Sequence, residues 1–182
     1  MGIWDAYNSE ETQRGVLSKE PDIEIEGDLD KLIKAHSDRL GIDPTVAKEN
    51  LMKFAEIVGQ IENSGKTQGK NPSSAEGLYQ FKTDTSEGQS SLETAINRTR
   101  KYLGDRSWMQ DAERTDAINF LPRDYQTTLF IGDLMEKEGS DKLMRRVATL
   151  GDKDAMLEAY LELHHTNRDE PGTLKRAKQF FK

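Results

Sequence analysis

IENSGKTQGKNPSSAEGLYQF, residues 61–81, joins the end of a strongly patterned helix to a Gly-Leu-Tyr-Gln box through a run of small, turn-forming residues. Just upstream, Leu51, Phe54, Ala55, Val58 and Ile61 repeat at spacings of three and four, which defines one apolar helix face. Asp43 is placed to cap that helix, and Pro44 suits its first turn, where the missing N–H is no loss. Advancing about 100° per residue, Glu62 falls near the middle of the apolar face, just before Ser64 and Gly65 stop the helix. A helix ordinarily turns its carboxylates to water. The bland reading of Glu62 is a helix-end cap or ion pair. The sharper one is a general acid, because a carboxyl group against apolar side chains has its charged form disfavoured and keeps its proton.

Residues 63–76 hold Gly65, Gly69, Pro72 and a string of Asn, Ser and Lys, and so read as a long loop. Residues 8–30, NSEETQRGVLSKEPDIEIEGDLD, are polar and acid-rich and read as part of an arm, with DIEIE a candidate short strand. GDLDKLIKAHSDRLG, residues 27–41, reads as a helix ended by Gly41. Downstream, helices are expected over 88–103, 110–118, 123–138, 140–149, 152–165 and 173–181, with Thr115, Asp124 and Asp152 as starts and Gly104 and Gly139 as stops. The expected class is mainly α, a helical domain with a long active-site loop or small hairpin and an N-terminal arm. Its divisions fall at 1–42 for the acidic, partly helical arm, 43–170 for the domain, and 171–182 for a basic C-terminal helix.

Composition narrows the function classes. The chain has 182 residues, enough for one ordinary domain and an arm. Its net charge of −7 argues against a nucleic-acid phosphate binder, which needs a basic face. With no cysteine there is no disulfide framework, thiolate metal site or thiol nucleophile. No transmembrane segment is expected, and residues 1–10 lack the basic and apolar regions of a signal peptide. His164 and His165 are adjacent on a helix, about 100° apart, and His36 lies in the arm, so no metal site is expected. Trp4 and Trp108 could stack on sugars, although Trp108 in a helix-rich domain reads first as core. The basic TLKRAKQFFK segment reads first as docking to its own domain or a partner protein, with membrane-surface contact the lesser alternative.

Residues 61–85 resemble the active-site segment of lytic transglycosylases of the soluble-lytic-transglycosylase type, which share the lysozyme-like α+β fold. Glu62 stands at the family's catalytic acid, Asn71-Pro72 where the family has Ser-Pro, and Ser74-Ala75 where it has Gly-Ala. Gly77-Leu78-Tyr79-Gln80 matches the Gly-Leu-Met-Gln box, and Thr85 falls on the Thr that follows. The eighteen-residue step from Glu62 to Gln80 matches without a gap. Asn63 and Asn71 depart from the family's serines, and Tyr79 from its methionine, although Gly-Leu-Tyr-Gln-Phe boxes are familiar from phage-encoded members. A third signature survives only as Ala159-Tyr160 before Leu161. The resemblance spans roughly residues 44–167, and its specific part covers residues 61–85.

The resemblance implies cleavage of peptidoglycan glycan strands between N-acetylmuramic acid and N-acetylglucosamine, with formation of a 1,6-anhydro ring and no cofactor. Glu62 would serve as acid and then base. Gly77 would let backbone approach the sugar, Tyr79 would stack on it and Gln80 would hydrogen-bond to it. Asn71, Leu78 and Thr85 would complete the cleft, and Tyr160 would orient Glu62 or the N-acetyl group. It further implies a phage virion component acting in the host envelope, with the arm docking to other virion proteins. Two alternatives stay open. Asp84 or Glu87 could supply the second carboxylate of a hydrolytic muramidase, or the domain could be a catalytically weak or inactive binding module of a virion.

Overall fold

In a computed structural model of the chain, residues 27–65, 68, 75–83, 91–114, 117–164 and 171–182 are described. Helix α1 (Asp28–Leu40) ends at Gly41 in the left-handed region, and α2 (Pro44–Asn63) follows almost at once. The start of α2 forms as its sequence dictates. The Asp43 carboxylate accepts the N–H groups of Thr45 at 2.8 Å and Val46 at 3.2 Å. Its end is equally local, for Ser64 and Gly65 take positive φ and their N–H groups return to the Gln60 and Gly59 carbonyls.

A two-residue hairpin comes next, with β1 (Ala75–Glu76) antiparallel to β2 (Phe81–Lys82), Ala75 facing Lys82 and Glu76 facing Phe81. The chain then returns to helices: α3 (Ser91–Leu103), α4 (Ser107–Ala112), a 3₁₀ turn (Ala117–Phe120), α5 (Arg123–Met135) and α6 (Ser140–Leu150). Helix α7 (Lys153–Ala159) widens into a π-type turn over Tyr160–His164, and α8 (Pro171–Phe180) closes the fold. The chain is mainly helical among the described residues, with one small sheet, the class its periodicity predicts. Among the described residues no helix is long and apolar enough to cross a membrane.

Helix α5 is the centre. Every residue from Gln126 to Met135 is buried, although the segment is only partly apolar. Its polar groups are therefore paired, as burial demands. Thr127 Oγ1 meets the Tyr79 hydroxyl at 2.9 Å, Thr128 donates to the Asp124 carbonyl, and Asp133 takes Arg98 at 2.6 Å and Lys137 at 3.2 Å. Gly132 lets α3 close in, because a Cβ there would stand 2.2 Å from Thr99 Oγ1.

Three expectations need correction. Residues 28–40 are not the end of an arm: Leu32, Ile33, His36, Ser37 and Leu40 are buried, and Arg39 donates to the Met135 carbonyl on α5. The acidic first turn of α1 is also tied down, with Asp28 accepting from Arg106 and from Trp108 Nε1 at 2.8 Å. The expected helix over 110–118 is instead α4 and the separate 3₁₀ turn, which Pro122 follows. Helix 152–165 is not uniform, since its last turn opens to π geometry at Tyr160. The candidate strand DIEIE and Trp4 lie outside the described residues. Helix α8 docks on its own domain, with Ala177 and Phe181 buried and the Phe181 ring 6.4 Å from that of Phe54.

His36, fully enclosed on α1 with no partner for Nε2, has a consequence for stability. Burial, reinforced by the Arg39 guanidinium and partly opposed by Asp141, pushes its pKa down to about 4 from 6.5. The unfolded chain therefore binds a proton that the folded chain refuses. Stability is complete above the unfolded value and is lost as pH falls from 6.5 towards 4, by about 3 kcal/mol in all. Denaturant titrations across this window are expected to show the loss in the wild type and a smaller one in His36→Leu. Equal losses contradict the assignment.

Candidate functional site

The site begins at the last turn of α2. Val58 and Ile61 are buried there, while Glu62 and Asn63 are half-buried. Glu62 thus stands at the margin of the apolar face rather than inside it. Its Oε1 accepts the Tyr160 hydroxyl at 2.6 Å, a contact between residues 98 apart in sequence. The Tyr160 ring is 1% exposed and lies 6.0 Å from His164 and 6.1 Å from Phe181. Burial, then the Glu62 charge and hydrogen bond, drive the phenol pKa far up, with Arg176 opposing them. Tyr160 is consequently a fixed, neutral donor to the carboxylate. The π turn begins at this residue.

Asn63 carries the second link. Its Nδ2 donates to the Gly77 carbonyl at 3.2 Å and to the Gln68 carbonyl at 3.1 Å. The same Gly77 oxygen accepts Gln80 Nε2 at 2.8 Å. Two side-chain amides fix the other side of the turn. Asn119 Oδ1 takes the Gly77 N–H at 3.2 Å, and Gln126 Oε1 takes the Leu78 N–H at 2.7 Å. Asn119 Nδ2 donates to Glu76 at 3.0 Å, and Gln126 Nε2 to the Leu121 carbonyl at 2.9 Å. The carboxylate orients the first amide and the carbonyl the second, so each presents its oxygen to the turn.

The negative end of the α2 dipole lies beside Glu62, and two guanidinium groups answer it. Arg123 donates to the Gly65 carbonyl at 2.6 Å, and Arg176 of α8 donates to the Ile61 carbonyl. Both are offered by elements distant in sequence.

Several expected sugar-binding residues have other work. Tyr79 is 1% exposed, stacked on Phe130 at 4.3 Å and bonded to Thr127, with burial pushing its pKa up to about 12. Its ring is core, and no face remains for a sugar. Leu78 is also core, packed on α2 where Gly59 leaves room: a Cβ there would lie 2.9 Å from Leu78 Cδ1. Gly77 is buried, and its missing side chain serves Gln126 and Ile118 rather than a ligand. Gln80, half-buried with φ of 51°, turns its side-chain amide onto the Gly77 carbonyl of its own turn, the acceptor that Asn63 of α2 also uses. Asn71 and Thr85 lie outside the described residues, as do Asp84 and Glu87.

Sequence reasoning missed Asn119, Gln126, Glu76 and Arg176 because nothing local marks a side chain that works across forty or more residues. A cavity of about 600 Å³ lies towards the other end of α2, lined by Asp28, Lys48, Met52, Asp124 and Tyr125 among others, and contains none of the expected site residues. Among the described residues no group of three His, Asp or Glu side chains is placed to hold a metal ion. The chain matches no family model, no curated protein and no solved structure.

The clamp on Gly77 makes a direct prediction. Its φ is +77°, and a Cβ would stand 2.7 Å from Gln126 Oε1 and 3.1 Å from Ile118 Cγ1. Gly77→Ala is expected to cost about 2–4 kcal/mol of stability through combined backbone strain and overpacking, read as a lowered unfolding midpoint. An unchanged midpoint contradicts the geometry.

Proposed function

We propose that this chain is a peptidoglycan lytic transglycosylase of lysozyme-like fold in which Glu62 is the single acid and base. The observation that carries the reading is the Tyr160 hydroxyl seated on Glu62 Oε1 at 2.6 Å, beside a Gly77 carbonyl shared by Asn63 and Gln80. The two segments that resemble the family's signatures, around residues 62–80 and at 159–160, lie together although far apart in sequence. Asn63, a departure from the family's serine, has a definite task in holding the turn.

In this mechanism Glu62 starts as the acid and gives its proton to the oxygen linking N-acetylmuramic acid to N-acetylglucosamine. The bond from C1 to that oxygen breaks, and positive charge develops on the muramic acid ring. The departing sugar leaves with a hydroxyl. Glu62, now a carboxylate, takes the proton of the C6 hydroxyl as O6 bonds to C1. The 1,6-anhydro ring closes, Glu62 regains its proton and no water is consumed. Tyr160 orients the carboxyl group through both steps.

A hydrolytic muramidase needs a second carboxylate in reach of water. Among the described residues Glu76 is a carboxylate that the hydrogen-bond network brings to this region, and it is 0% exposed with its oxygens on Asn119 and Thr83, so it is not placed to activate water. For biological setting we propose local wall degradation during phage entry, as a virion component whose residues before α1 dock to other virion proteins. Loss of incorporation into particles on deleting residues 1–26 is the expected result.

The test is product chemistry. Purified peptidoglycan digested by the wild type should yield muropeptides ending in anhydro-muramic acid by mass spectrometry, and Glu62→Gln should lower the rate by at least about 10³-fold. Reducing ends instead of anhydro ends would convert the reading to a hydrolase. A wild type that releases neither would leave a binding module.

A further inference from the structure

Phe120 is the most exposed large apolar side chain among the described residues, at 77%. Leaving a phenylalanine in water forgoes a substantial burial gain, so its surroundings matter. They are fixed, not loose. Ile118 and Leu121 on either side are buried, and the Leu121 N–H returns to the Ile118 carbonyl at 3.3 Å. In a 3₁₀ turn successive side chains diverge by roughly 120°. Ile118 accordingly enters the core against Gly77, Asn119 reaches the Gly77 N–H and Glu76, and Phe120 is sent outward.

The chain on both sides of Phe120 is pinned to the two halves of the candidate site. Asn119 holds the turn that carries Gln80, and Arg123 holds the Gly65 carbonyl just past Glu62. The other exposed large apolar residues sit elsewhere or are less exposed: Val46 is in the first turn of α2, Leu150 ends α6, and Phe180 is 41% exposed on α8. A glycan strand crossing from Glu62 passes several sugars, each with an apolar face of C–H groups and, in amino sugars, an acetamido methyl. A rigid ring without polar atoms suits that face.

We propose that Phe120 is a glycan-stacking platform on the rim of the Glu62 site, taking the apolar face of an N-acetylhexosamine. This rests on the transglycosylase reading and adds a binding residue to it, in the role first expected of Tyr79. The test uses full-length Glu62→Gln protein, so that nothing is turned over, titrated with the hexamer of N-acetylglucosamine and with purified sacculi. Adding Phe120→Ala is expected to weaken hexamer binding about tenfold while leaving the thermal midpoint unchanged. Phe120→Trp should retain affinity and show a saturable fluorescence change on binding. If Glu62→Gln protein binds the hexamer and Phe120→Ala binds it equally well, the platform is wrong and the glycan reading stands. If Glu62→Gln protein binds neither hexamer nor sacculi, the glycan reading falls and takes the platform with it.

Discussion

The carbonyl of Gly77 is the point on which the candidate site is assembled. It accepts Asn63 from the end of α2 and Gln80 from its own turn, so that the helix carrying Glu62 and the glutamine share one acceptor. That sharing is possible only because the turn is held from behind. Asn119 and Gln126 take the N–H groups of Gly77 and Leu78, and each amide is itself oriented by a second bond. A backbone turn with both its donors and its carbonyl committed has little freedom to drift. Gly77 takes its positive φ freely, and positive φ at Gln80 is the conformational cost of bringing those groups round.

The rest of the fold serves this turn. Helix α5, buried along its length, supplies Gln126 to the box and Thr127 to Tyr79 in one helical turn. The opposite wall comes from α7, whose π-type widening starts at the residue that reaches Glu62. Helix α8 backs Tyr160 with Phe181 and adds Arg176 to the carbonyl end of α2. Glu62 therefore sits where a helix end, a buried phenol and a guanidinium group meet. That arrangement is unusual for a carboxylate whose only duty is an exposed cap.

Local signals were legible in the chain wherever the cause was local. Asp43 and Pro44 start α2, Ser64 and Gly65 end it, and the Leu51-to-Ile61 spacing gives its buried face. The helical class, the hairpin near the long loop and the pairing of Tyr160 with Glu62 follow from residues that could be read in order or by resemblance. What could not be read depends on packing from a distance. Tyr79 was expected as a sugar platform from the resemblance alone, yet Phe130 and Thr127 offer it both a stacking face and a hydroxyl partner. The acid-rich start of α1 looked like an arm because Asp28 and Asp30 suggest solvent. Trp108, Arg106 and Lys48 meet those carboxylates in the fold, and the opposite face of the helix is core. Phe120 carried no signal at all, since a single phenylalanine in a short segment reads as core.

The most direct measurement is a crystal structure of the Glu62→Gln protein bound to a tetrasaccharide of alternating N-acetylglucosamine and N-acetylmuramic acid. The account predicts that a glycosidic oxygen lies within hydrogen-bonding distance, about 3 Å, of the side chain at 62, with Tyr160 still bonded to that side chain. Sugar bound away from residue 62, or a phenol that has left it, contradicts the claim that this helix end is where the glycan is cut.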